Sequence, residues 1–396
     1  METIFDFYTD KEILEKLNKL TLLIEEKNKD EDILKKCNYS GNNELLDIAK
    51  ARIKSKISKD KYVGEVKYFN LNDLRFSTPL KVAEYRAKRI SSNTLVDLCS
   101  GIGIQSAAFS KHSKNVFAIE LDPRKVVYSK KNFNQENLKF IQGDVLSEKI
   151  IEEIRKIKPD IIFCDPERLD SEKERNLESI KPSINDLIKI YSKITENICL
   201  ELPPQISLEK LGILGDFEVE YLSFNNKLNR MNLYFGKLKK CKISVADVSG
   251  ERIENNKGII ADYITKPLRY IYESSSAIEK AGLIEEFAFK TKCHILENTE
   301  NGKVILTSEK VNNSPLIKAF SKTYEVVGIT NNFKEILSIL TKLGFGKVLL
   351  KYNIDPSNYW KERNRFEKNL KGTKEATLFK IIENNKEFFI ISKEKN

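Results

Sequence analysis

The chain has 396 residues, of which 40% are hydrophobic and 32% charged, enough apolar material for several buried cores and too much for an extended disordered chain. Lys and Arg number 68 against 58 Asp and Glu, a formal net charge of +10, which favours polyanionic partners through phosphate neutralisation and counterion release. Six cysteines are scattered without metal-ligand spacing and only two histidines are present, so neither a metal site nor a disulfide framework is expected.

Met-Glu-Thr-Ile-Phe-Asp-Phe at the start has no basic region and no apolar core of a signal peptide, and a cytoplasmic location is expected. The longest apolar stretches, Ile161-Ile162-Phe163-Cys164 and Lys347-Val348-Leu349-Leu350, are too short to cross a bilayer. Residues 1–75 read as a helical region. Ile13, Leu14, Leu17, Leu20, Leu22 and Leu23 recur at mostly helical spacing over Glu12–Lys29, and Leu45, Leu46, Ile48, Ala49 and Ile53 do so over Asn42–Ile57. A further helix is predicted over Pro79–Ile90. From Thr94 to about Lys237 strands and helices alternate. The strands are predicted at Leu95–Leu98, Val116–Glu120, Lys139–Gln142, Asp160–Cys164, Ile198–Leu202 and Glu218–Ser223, with helices such as Pro123–Phe133 and Ser147–Ile157 between them. Short apolar runs separated by helices predict a parallel sheet covered on both faces.

Beyond about Lys240 the texture changes. Strands are predicted at Lys242–Val248 and Val304–Thr307, and helices at Tyr270–Ala281 and Ser314–Phe320, the second with Ser314 as N-cap and Pro315 at the first helical position. A last unit reads as strand Tyr324–Ile329, helix Phe333–Leu343, strand Lys347–Tyr352, helix Pro356–Leu370, then a hairpin of Ala376–Ile382 and Phe388–Lys393 turning at Glu383-Asn384-Asn385-Lys386.

Four strand ends carry chemistry. Val96-Asp97-Leu98-Cys99-Ser100-Gly101-Ile102-Gly103 runs from an apolar strand through glycines into a helix; glycines permit a tight turn and close ligand approach, and the helix start offers N–H groups to an anion. The second strand ends in Glu120, followed by Leu121-Asp122-Pro123, and an acid here suits a ribose diol. The third ends in Gly143-Asp144, where a carboxylate can accept from an adenine amino group. The fourth ends in Asp165-Pro166-Glu167-Arg168. In such sheets ligands bind at the carboxyl ends of the strands, where all four lie. A nicotinamide dehydrogenase is disfavoured because Ser106 occupies the place of the third glycine.

On these residues, 94–205 resemble the class I S-adenosylmethionine (AdoMet) methyltransferases. The resemblance matches Asp97, Gly101 and Gly103 to the first motif, Glu120 to the ribose acid, Asp144 to the adenine-side acid and Asp165-Pro166 to the substrate-facing motif. It implies AdoMet as cofactor, held by Asp97, Cys99, Gly101, Gly103, Glu120, Asp122, Gly143, Asp144 and Asp165. Cys99 stands where many members have glycine. A wider stretch, about 75–393, is similar to methyltransferases with a C-terminal THUMP-like domain, on Phe76-Ser77-Thr78, Ala83-Glu84-Tyr85-Arg86-Ala87, Asp165-Pro166-Glu167-Arg168, Asn176–Pro182, Tyr272-Glu273, Ala281-Gly282, Tyr352, Asp355-Pro356, Gly372 and Ala376-Thr377. Tyr272–Ser276 departs from the Glu-Pro-Asn of that family. The implied α/β architecture is a Rossmann-like methyltransferase core at 76–238 after the helical region 1–75, then a ferredoxin-like α+β region at 239–321 and a THUMP-like RNA-binding module at 322–396.

The resemblance makes RNA, usually tRNA, the expected substrate, with Asp165, Pro166, Glu167 and Arg168 at the reacting base. Carbon-5 methylation of a pyrimidine needs a cysteine nucleophile, which related enzymes carry after the fifth strand; here that place reads Leu200-Glu201-Leu202-Pro203-Pro204. Base nitrogen methylation is therefore expected, with guanine N7 or N2 favoured. Methylases of exocyclic amines place an aromatic ring after the Pro of this motif to stack on the base, and none is present here. Lys347, Lys351, Tyr359, Lys361, Arg363 and Arg365 are the expected RNA contacts, since basic residues interleaved with rings suit RNA. Ribosomal RNA or a protein substrate, or a non-catalytic RNA-binding scaffold, are the alternatives.

Overall fold

Thr9 opens the first long helix by accepting from the Glu12 backbone N–H at 3.4 Å, while the Glu12 carboxylate accepts from the Thr9 N–H at 2.8 Å, a reciprocal cap of two otherwise unpaired donors. In the computed structural model, which describes residues 3–58, 64, 66–168, 177–256, 258–297, 299, 304–383 and 385–395, this helix spans Asp10–Glu25 and buries Ile13, Leu17 and Leu20. Asn176, Asp170 and the hairpin residue Asn384 lie outside the described residues, as does the side chain of Arg168.

The chain divides into two compact units, residues 1–217 with 232–240, and residues 218–231 with 241–396. In the first unit, helices Asp10–Glu25 and Asn42–Ile57 pack into a cluster with Tyr68 and Tyr128. Tyr128 belongs to helix Pro123–Asn132 of the alternating region, so the N-terminal helices share a core with it. The parallel strands are β1 (Thr94–Asp97), β2 (Asn115–Glu120), β3 (Leu138–Gln142), β4 (Ile161–Cys164) and, after the short antiparallel ribbon β5 (Glu167–Arg168) and β6 (Ile180–Lys181), β7 (Ile198–Leu202). Their order is β7-β4-β1-β2-β3. The chain steps from β1 outward to β3, then returns to the other side of β1 with β4. A switch point therefore lies between β1 and β4, where a crevice opens above the strand ends. β1 and β4 bury every residue from Leu95 to Asp97 and from Ile161 to Cys164, as a sheet covered on both faces requires.

β8 (Glu218–Phe224) turns into β9 (Lys227–Tyr234) through Asn225 and Asn226, both at positive φ (54° and 57°), the hairpin turn geometry that asparagine tolerates. In the second unit β10 (Ile243–Asp247) pairs with β8 in parallel and with β11 (Arg252–Glu254) antiparallel. An eight-stranded sheet follows, built from β12 (Tyr263–Ile264), β13 (Tyr270–Ser274), β14 (His294–Leu296), β15 (Ile305–Ser308), β16 (Ser321–Thr330), β17 (Phe345–Leu350), β18 (Lys374–Glu383) and β19 (Lys386–Glu394), in the order β12-β14-β15-β13-β16-β19-β18-β17.

Two expectations are corrected here. Tyr270–Ala281 is not one helix: Tyr270–Ser274 is strand β13, and the helix is Ser276–Ala281, capped by Ser275. Tyr270-Ile271-Tyr272 is aromatic and β-branched, and neighbours β15 and β16 on its two sides complete its ladder, a pairing that local periodicity cannot show. The division at 321/322 also does not separate two sheets, because β13 pairs antiparallel with β16 across it, Ile271 opposite Tyr324. Among the described residues no helix is long and apolar enough to cross a membrane.

Candidate active site

Asp97 ends β1 at full burial. Its Oδ2 accepts from the Ser106 hydroxyl at 2.6 Å, tying the strand to helix Ile104–Ser110 one turn on. Burial pushes its carboxyl up to about 7, against the pull of the Ser106 hydroxyl and the Cys99 N–H. The intervening turn depends on glycine twice. Gly101 and Gly103 sit at φ 55° and 83°, and a Cβ on Gly103 would come within 2.9 Å of the Phe140 ring.

Glu120 ends β2 with both oxygens engaged by backbone: Oε2 accepts from Gly101 N–H at 2.7 Å and Oε1 from Asp122 N–H at 2.9 Å. A carboxylate has about four acceptor sites, so two directions remain for a vicinal diol. Burial raises its pKa, opposed by those N–H groups and by Lys125. Asp122 turns elsewhere: it caps helix Pro123–Asn132 by accepting from Arg124 N–H at 2.8 Å, and it is not among the lining residues of the cleft. Asp144 follows Gly143 at the end of β3, and its Oδ1 accepts from Leu146 N–H at 2.9 Å.

Above β4, Cys164 leads into Asp165-Pro166-Glu167. The Cys164 and Cys99 sulfurs are 3.5 Å apart, and burial holds the Cys164 thiol well above its ordinary value. Beneath lies Arg86, fully buried, donating to Gln105 Oε1 at 2.6 Å, to Glu201 of β7 and to Asn232 Oδ1 at 3.3 Å, with its guanidinium 4.8 Å from the Phe163 ring. Asp165 is one of the acids whose field raises the Arg86 pKa, after Glu201 and against the larger opposing effect of burial.

These strand ends surround a cleft of about 360 Å³, within the usual range of small-molecule pockets. Cys99, Gly101, Glu120, Gly143, Asp144, Asp165, Pro166 and Glu167 line it together; Asp97 and Gly103 stand behind the wall and shape it. Sequence reasoning assigned no role to Asn72, Asp73, Phe76, Ser77, Thr78, Gln105, Lys125, Lys181 or Pro182, which also line it. Arg86, an isolated charge on the apolar face of helix Leu80–Arg89, was the legible trace of the buried network. Cys199 is completely buried within β7.

In the second unit, Lys347 and Lys361 are exposed and Lys351 is held by Glu273 at 3.0 Å. Helix Tyr359–Glu367 carries Arg363, bonded to Glu367 at 2.8 Å, and Arg365, whose guanidinium lies 4.4 Å from the Phe333 ring. Tyr359 packs edge-on against Trp360, which is 64% exposed.

The family model described as RNA cap guanine-N2 methyltransferase matches residues 92–306, more than half of the chain. The chain belongs to this family. An uncharacterized S-adenosylmethionine-dependent methyltransferase from Mycobacterium tuberculosis is 21% identical over 291 residues, 72% of this chain and 77% of that protein. A crystal structure from Porphyromonas gingivalis W83, assigned as a methyltransferase, superposes with a TM-score of 0.74 at 17% identity, covering 98% of this chain and all of that one; the likeness is one of fold. The cleft of this methyltransferase fits an AdoMet ligand. Glu120 has acceptor capacity in hand. Ser100, in the lining, keeps a buried hydroxyl oxygen that meets no hydrogen-bond partner among the described residues.

Proposed function

We propose that this methyltransferase transfers a methyl group from AdoMet to a guanine nitrogen of RNA, N2 before N7, with tRNA as the substrate class. The observation that carries the reading is a single cleft shared by Glu120, Asp144 and Asp165-Pro166, in a chain of a guanine-N2 methyltransferase family.

AdoMet is the methyl donor, and its sulfonium supplies an activated methyl group. Glu120 holds the ribose, Asp144 the adenine edge, and the turn Cys99–Gly103 the methionine end. Asp165 accepts from the exocyclic amine of the guanine, orienting the nitrogen lone pair and taking up the proton released by in-line displacement. No covalent enzyme intermediate is needed, in keeping with the burial of Cys199. Arg86 acts as a positioning group, fixing the Gln105 amide in the cleft wall. Lys347, Lys351, Lys361, Arg363 and Arg365, with Tyr359, supply phosphate contacts and a stacking surface in the THUMP-like part of the second unit.

Radiolabelled AdoMet, full-length protein and unmodified tRNA transcripts, followed by nucleoside mass spectrometry, test the reading. N2-methylguanosine is expected. N7-methylguanosine would move the atom. No RNA incorporation despite AdoMet binding would overturn the substrate assignment.

A further inference from the structure

A base presented to Asp165 needs a flat partner as well as an edge partner. The motif Asp165-Pro166-Glu167-Arg168 brings no aromatic ring, and residues 169–176 contain no Phe, Tyr or Trp. Two aromatic residues line the cleft among the described residues, Phe76 and Phe163. Phe163 is fully buried, with Phe109 at 5.1 Å and the Arg86 guanidinium at 4.8 Å. Phe76 is 39% exposed, with the Arg75 guanidinium 5.2 Å from its ring.

Building on the RNA reading above, we infer that Phe76 is the stacking face for the target guanine, replacing from the N-terminal side the aromatic that the strand-end motif lacks. Its helix, Leu71–Phe76, is pinned at both flanks. Asn70 and Asp73 cap each other at 2.8 and 2.9 Å, and Asp73 accepts two bonds from Arg124, at 2.7 and 3.0 Å, just past the end of β2. On the other side, helix Leu80–Arg89 sends Arg86 to Glu201 of β7 and over Phe163 of β4. The segment is thus tied to the β2 end on one side and to β4 and β7 on the other, and Phe76, the last residue of its first helix, lines the same cleft as Asp165. The adenine side of the cleft has apolar faces of its own in Leu121, Val145 and Leu146. Phe76 leaves part of its ring open on the cleft, and a purine plane stacked there leaves the guanine edge for Asp165.

The test uses full-length Phe76→Ala and Phe76→Trp proteins with tRNA transcripts. Phe76→Ala should raise the KM for RNA by about 10- to 100-fold, with AdoMet affinity unchanged by calorimetry, and Phe76→Trp should restore the KM. A Phe76→Trp protein that also carries Trp360→Phe has a single tryptophan. Guanosine monophosphate should quench its emission and S-adenosylhomocysteine should not. An unchanged KM in Phe76→Ala, or weakened AdoMet binding together with quenching by S-adenosylhomocysteine alone, would overturn the inference. If the wild-type protein methylates no RNA, the functional reading fails by itself, and the quenching titration still decides whether Phe76 stacks a guanine.

Discussion

Asp97 shows how the end of β1 acts on the cleft from behind its wall. Its carboxyl is fully buried and titrates near 7 instead of the ordinary 3.8. The folded protein therefore retains a proton that the unfolded chain loses near pH 4. Stability contributed by this group is fully present below pH 4 and is lost as pH rises to 7, a decline of a few kcal/mol. Asp97→Asn should flatten that decline, because the amide keeps an acceptor for Ser106 and does not ionise. Urea unfolding of both proteins at pH 4.5 and 7.5 checks this; parallel pH dependences would refute it. On the proposed reaction, in which Asp165 meets the guanine amine, Asp165→Ala should leave AdoMet affinity intact while slowing methyl transfer at least about 100-fold. Equilibrium binding and single-turnover rates measured on the same preparation separate the two effects.

At the scale of elements, the β1 turn is the least forgiving part of the site. Gly103→Ala would need a left-handed backbone and would press a Cβ against the Phe140 ring at 2.9 Å, so a loss of about 1–3 kcal/mol is expected, with weaker AdoMet binding. Gly143→Ala would press on the Ile150 side chain, at both Cδ1 and Cγ1, but on a backbone outside the left-handed region, and should cost less because it adds no backbone strain. Thermal melts of the two variants with and without AdoMet rank them. Strand β13 teaches the opposite lesson about locality. Tyr270–Ser274 becomes a strand because β15 and β16 lie on its two sides. For the same reason, cutting the chain at residue 322 would strip β13 of its β16 partner, and charge substitution is the cleaner probe of the C-terminal part.

At the scale of the molecule, the excess of positive charge is an electrostatic prediction. Replacing Lys347, Lys361 and Arg365 together by Glu should weaken tRNA binding and flatten its salt dependence by roughly one unit of log–log slope for each phosphate contact removed, with AdoMet binding unchanged. Filter binding from low to physiological salt measures both. An unaltered slope would remove these residues from the RNA surface. The two units also explain why a linear division of the chain into modules falls short. The hairpin of β8 and β9 carries residues 218–231 into the second unit and returns 232–240 to the first, and N-terminal helices close a core with Tyr128.

The sequence alone determined the parallel core and the four strand ends that meet at the cleft. Those features are local: apolar runs of strand length, helices between them, and glycine or acid where each strand must stop and face a ligand. It also marked part of the cleft lining, through Gly101, Glu120, Asp144 and Asp165. Only the tertiary structure decided that Asp97 stands behind the wall and that Asp122 caps a helix. It also decided that Arg86 joins Gln105, Glu201 and Asn232 in one buried network, and that Phe76 reaches the same cleft as a strand end some ninety residues on. These placements follow from which strands become neighbours and from the demand that every buried charge find partners. Both are conditions on the whole fold, and no window of the chain contains them.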